Sequence, residues 1–179
     1  MPKIIPVASV SPSEGRLRKF RGLNEPALEE NPLLLYTLAY CDLIEVLADT
    51  LFPPNPASNN DDGQVCVVSS DARVDRYIHC RAAWEPAFGQ TIQLALRDLS
   101  SAAKLVHSKT FFDLAPAQRI DLIASLQSSS IPTASWNSPR QQKATFDALH
   151  DAVASGVFAD PGYGGNCEGI GWRYSQFIT

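Results

Sequence analysis

Apolar side chains run almost unbroken from Leu33 to Phe52, interrupted mainly by Thr37, Asp42, Glu45, Asp49 and Thr50. A helix apolar on nearly every side belongs in the middle of a bundle. Asn31 and Pro32 supply its start, a side-chain cap with proline at the first helical position, and Pro53-Pro54 ends it. From Asp71 the pattern steps by three or four through Val74, Tyr77, Ile78, Arg81, Glu85, Phe88, Ile92, Leu96, Leu99, Ala103 and Val106. Pro86 cannot donate a helical hydrogen bond, so this run predicts two helices, over 71–84 and 86–107. Pro116 opens the next, with Ile120, Ile123 and Leu126 on one face. Ser138-Pro139-Arg140-Gln141 then reads as a capping box, Phe146, Leu149 and Val153 as an inner stripe, and Gly156 as the stop. Between the first two helical runs lies a loop, 55–70, with a polar tip at Asn59-Asn60-Asp61-Asp62-Gly63 and a short strand within 64–68. The sum is all-α: an irregular bundle of about five helices followed by an extended segment rich in glycine and aromatic residues.

At 179 residues the chain is one domain in size, long enough to bury around 70% of its unfolded surface. It divides into a basic arm at 1–30, expected to be mobile, a helical domain at 31–155, and the C-terminal segment at 156–179. A net charge of −4 argues against a nucleic-acid binder, which is normally basic. The arm holds Lys3, Arg16, Arg18, Lys19 and Arg21, with no apolar run long enough for a secretory leader, and no transmembrane span shows elsewhere. Arg16-Leu17-Arg18 is not a twin-arginine pair. As written, the chain is expected in the cytoplasm, or in the periplasm if a leader has been removed.

The chemical inventory is thin. Cys41, Cys66, Cys80 and Cys167 form no Cys-x-x-Cys pair, which argues against a metal cluster or covalent haem. Cys41, inside the apolar helix, is expected to be a packed thiol, and Cys167, beside the glycines, an exposed one. His79, His107 and His150 lack the spacing of a helical zinc pair. His150 and Asp151 are adjacent and point apart on a helix. The serine runs lack a nucleophile elbow, and the acidic loop tip lacks the ligand spacing of a calcium site.

The stretch from Gly156 to Gly171, followed by Trp172, holds six glycines and the rings of Phe158 and Tyr163. Its glycines are not followed by the Lys-Ser/Thr pair of a phosphate loop, nor do they complete a dinucleotide fingerprint. Either it folds back over its own domain or it lies against something else. The run Val157-Phe158-Ala159-Asp160-Pro161-Gly162-Tyr163-Gly164-Gly165-Asn166, with Gly171-Trp172 after it, resembles the C-terminal signature of the gluconate 2-dehydrogenase subunit 3 family. Segments 47–54 and 112–119 are similar to family segments in the same order, so the resemblance spans roughly 32–177.

That resemblance implies a non-catalytic small subunit that binds, stabilises and helps mature an FAD-dependent catalytic subunit of the glucose-methanol-choline type. FAD belongs to that flavoprotein partner and no cofactor to this chain. A cytochrome c subunit is a further member of such complexes. The family's small subunits often carry a twin-arginine leader, from which this sequence departs. Phe158, Asp160, Tyr163, Gly164, Gly165, Asn166 and Trp172 are the partner-binding candidates it implies, with no catalytic or metal-binding residue. The alternative is a stand-alone enzyme with an acid–base pair, Asp160 and Tyr163 or His150, in a pocket under the segment.

Overall fold

The computed structural model describes residues 38–53, 55–59, 65–66, 69–136 and 138–175. The basic arm, the Asn31-Pro32 helix start and the polar loop tip fall outside them. Helix α1 spans Leu38–Leu51, α2 Ser69–Ala72, α3 Val74–Trp84, α4 Pro86–His107, α5 Pro116–Gln127, α6 Gln142–Phe158 and α7 Ile170–Tyr174. Five of these are long, and the all-α bundle anticipated from periodicity is the architecture observed. A small antiparallel ribbon, β1 (Asn55–Asn59) with β2 (Val65–Cys66), fills the loop after α1. The second strand lies where the sequence predicts one. The first, Asn-Pro-Ala-Ser-Asn, has little strand propensity and carries no local signal.

Helix α6 is the axis of the bundle and touches each of the other six helices. Its Thr145, Leu149, Ala152, Val153, Gly156 and Val157 are buried. Around them close Ile44 and Leu47 of α1, Ile78 of α3, Ile92, Leu96 and Leu99 of α4, and Leu122 and Leu126 of α5. Each fully buried Leu or Ile of this set contributes about 1.5–3 kcal/mol relative to exposure.

Proline and glycine set the boundaries. Pro86 opens α4 at its first position, and the extended residue Glu85 turns the chain between α3 and α4. Gly89 then lets the two helices cross closely, since a Cβ there would sit 3.0 Å from that of Ala82. Pro116 opens α5, where Gln118 Oε1 accepts the Ala115 N–H at 3.1 Å. Four local expectations are corrected. The run predicted as one helix over 71–84 breaks at Arg73, which takes the left-handed conformation (φ 56°). Its guanidinium bonds Asp75 through two nitrogens, at 3.1 and 3.2 Å, and that partly buried pair holds the break. Ser138 does not cap α6; its hydroxyl donates to Asp98 at 2.8 Å and ties the preceding loop to α4. Ile120 is 55% exposed, and Leu122 takes the inward place on α5. Gly156 does not stop α6, which runs on to Phe158.

Candidate functional site

The site grows from the C-terminal end of α6. A helix leaves its last four carbonyls without partners in the helix, and they must find donors elsewhere. Here the Gly/aromatic segment folds back to supply them. Ala159 N–H donates to Ser155 O at 2.8 Å, Asn166 N–H to Gly156 O at 2.8 Å, and the Trp172 indole to Phe158 O at 2.9 Å. The Asn166 amide donates to Ala159 O at 2.8 Å and accepts the Gly171 N–H at 2.7 Å. One side chain thus joins the end of α6 to the start of α7.

Glycine is required at three places in this arrangement. A Cβ on Gly165 would lie 2.3 Å from Gly156 O, and one on Gly171 only 1.9 Å from Val157 O. At Gly156 the demand comes from across the bundle, where a Cβ would meet Val74 of α3 at 3.0 Å. The left-handed residues Asn166 (φ 45°), Glu168 (φ 56°) and Gly169 (φ 69°) turn the chain back on itself. Where the sequence predicts an extended segment, the structure coils it into two short 3-10 turns, Pro161–Tyr163 and Cys167–Gly169, before α7. The many orphan carbonyls and close approaches need curvature that an extended chain does not provide.

Asn166 has 0% of its surface exposed, and Gly164, Gly165 and Gly171 are buried with it. Phe158 and Trp172 are half-buried, and Phe158 meets Phe52 edge-on at 5.6 Å between ring centres. Asp160 is exposed, its carboxylate accepting the Gly162 N–H at 2.8 Å. Tyr163 stands apart at 69% exposure. Of the seven candidates, then, Tyr163 and Asp160 face solvent, while Asn166 and the two glycines cannot reach a partner. The segment folds back over its own domain, as one of the two readings of the sequence expects, and leaves Tyr163 and Asp160 at the surface.

Helix α3 supports the segment from below. Gly164 lies against the Arg76 side chain and the Cys80 sulfur, and Gly165 against Tyr77 Cβ. Trp84, 86% exposed, sits one turn beyond Cys80 on the same helical face. Sequence periodicity missed it, because a tryptophan at a helix end reads as core; the signal was the Glu85-Pro86 break directly after it. The opposite face of α3 buries Asp75 and His79. Burial pushes the His79 pKa down to about 4, with Asp75 acting weakly in the other direction. Burial, and then the neighbouring carboxylates Asp75, Asp42 and Glu45, push the Cys41 thiol well above its ordinary range, so it is an unreactive packed group. Cys167 is exposed.

The acid–base alternative gains nothing from the geometry. Asp160 is committed to Gly162 N–H, and His150 is stacked between Phe52 and Phe146, at 6.0 and 5.5 Å. The His150–Asp151 contact is 3.5 Å and lies in solvent. Under the segment lie Val74, Tyr77 and the carbonyls of α6, close-packed. A groove of about 730 Å³ opens elsewhere, between α1, α4 and the turn at Phe111 and Phe112. Among the described residues, no helix is long and apolar enough to cross a membrane.

A family model described as gluconate 2-dehydrogenase subunit 3 matches residues 41–177, more than three quarters of the chain, including all of the segment built on α6. No curated protein gives a significant match, and neither does any solved structure.

Proposed function

The chain belongs to the gluconate 2-dehydrogenase subunit 3 family, a family of dehydrogenase subunits, and from that premise we propose that it docks on, stabilises and helps mature an FAD-dependent catalytic subunit of the glucose-methanol-choline type. The observation that carries this is Tyr163. In a segment whose Asn166 and Trp172 side chains bond carbonyls at the end of α6, one large aromatic side chain is left 69% exposed. Burying most of a tyrosine gains little for the free chain when it points outward, whereas aromatic anchors dominate the energetics of protein interfaces. Trp84, at the end of α3, is a second exposed ring, 86% open to solvent. The flavin belongs to the partner. The glycines here close against their own carbonyls, which supports a structural use over a phosphate cradle. A cytochrome c subunit is a further component of the proposed complex.

The test is to purify the tagged chain from cells that make it and record the visible spectrum of what co-elutes. A stoichiometric flavoprotein with dehydrogenase activity is the expected result, and Tyr163→Ala should reduce its retention at least ~10-fold, the size of a truncated aromatic anchor. Turnover by the chain alone, or a complex without flavin, would overturn the proposal.

A further inference from the structure

We propose that Asn166 is a positioning residue for docking: it never meets the partner, and it fixes the turn that presents Tyr163. This rests on the docking role proposed above. With no exposed surface, Asn166 has nothing to offer another protein directly. What it does have is a bond to each end of the segment that carries Tyr163. Its backbone N–H reaches Gly156 O at 2.8 Å, its side-chain amide donates to Ala159 O at 2.8 Å, and its carbonyl oxygen takes Gly171 N–H at 2.7 Å.

The turn itself is held locally. Gly162 N–H bonds the Asp160 carboxylate at 2.8 Å, Tyr163 N–H bonds Asp160 O at 2.9 Å, and Gly164 N–H bonds Pro161 O at 3.1 Å. Those bonds shape the turn without fastening it to the bundle. The fastening lies at Asn166, three residues on. A turn released from that anchor samples many orientations, and Tyr163 must then be re-ordered on association, which lowers affinity without removing any contact.

The backbone of Asn166 is left-handed (φ 45°), a conformation glycine adopts freely. Asn166→Gly therefore removes the two side-chain bonds and leaves the backbone unstrained. The experiment uses the full chain in two assays. Amide hydrogen exchange on the isolated protein should show residues 160–171 exchanging ~10-fold faster or more, with the α4 amides around Leu96 and Leu99 unchanged, as expected for loss of local order. Retention of the co-purifying flavoprotein should fall by roughly 10-fold, and adding Asn166→Gly to Tyr163→Ala should cost little more, because the two act through one contact. Should Asn166→Gly not fold, Asn166→Asp keeps an acceptor for the Gly171 N–H, removes the donor to Ala159 O, and is read by the same two assays.

Unchanged exchange in 160–171 overturns the positioning role whatever the partner does. A loosened segment with undiminished flavoprotein retention, while Tyr163→Ala abolishes it, overturns the positioning role and leaves the docking role standing. Full retention by Tyr163→Ala overturns both, and the exchange data then still report whether Asn166 orders the segment.

Discussion

Replacing Gly171 by alanine puts one methyl group where the structure leaves no room. The added Cβ would lie 1.9 Å from Val157 O and 2.8 Å from Val157 C, both backbone atoms of α6 that cannot rotate away. Relief requires α7 to move off α6 by more than an ångström, and that movement stretches the 2.7 Å bond from Gly171 N–H to Asn166 Oδ1. Overpacking of this kind costs about 1–3 kcal/mol. Leaving the buried Asn166 oxygen without its donor adds about 1–3 kcal/mol. The expected loss is therefore about 2–6 kcal/mol, or roughly 4–24 °C in Tm for a chain of this size. A segment that peels away locally caps the loss at its own docking free energy, so urea unfolding should be paired with hydrogen exchange of 159–172. Gly162→Ala is the control. It is exposed, and its Cβ would meet only the movable Asp160 carboxylate, at 3.0 Å, so a change within about 0.5 kcal/mol is expected. If Gly171→Ala matches the wild type in both stability and exchange, the packing account of these glycines is wrong.

Three further outcomes follow from other parts of the molecule. His79 is held neutral, its pKa lowered from 6.5 to about 4 by burial, so its contribution to stability is complete above the ordinary histidine range and is lost as pH falls from about 6.5 toward 4. The loss is on the order of 3 kcal/mol, and His79→Gln should flatten that part of the stability–pH curve; an unaltered slope would show that another group is responsible. Gln142 bonds both the N–H and the carbonyl of Ile131, at 3.0 and 2.7 Å, in a buried setting. Gln142→Ala should cost about 2–4 kcal/mol in chemical denaturation because two backbone groups lose partners, and a loss under about 0.5 kcal/mol would contradict the bridging role. Tyr163→Ala should leave the melting temperature within about 2 °C of the wild type, so that any loss of flavoprotein retention reports docking and not folding.

Proline made the helices legible. Pro86 and Pro116 each mark a first helical position, and the helices begin there in the structure. The break at Arg73 had no such marker. It combines a local bidentate contact with Asp75 and the long-range packing of Val74 against Gly156, and either side chain alone reads as ordinary helix. Gly156 shows the same limit from the other side. A glycine late in a helical run looks locally like a terminator, whether it frees the backbone or makes room for a neighbour, and here it makes room. The segment after it was legible as a unit from its run of glycines and rings. Which of its atoms turn inward was not, because that depends on four left-handed residues, Gly164, Asn166, Glu168 and Gly169, of which two are not glycine. Side-chain type alone placed Asn166 and Tyr163 together on a surface; backbone curvature sends one in and the other out.

The central position of α6, in contact with every other described helix, also bears on how the chain is made. Synthesis proceeds from the N-terminus at roughly 5–20 residues per second, so the ribosome takes on the order of ten to thirty seconds to reach the end of this helix. Until Gln142–Phe158 emerges, α1, α3, α4 and α5 lack the helix that all four pack against, although α3 meets α4 and α1 meets α3 and α5 directly. The core residues Ile44, Ile78, Leu96 and Leu122 therefore lack part of their final surroundings until α6 joins them. A polypeptide ending before residue 142 would thus lack the helix that the others share and is expected to expose apolar surface to its neighbours.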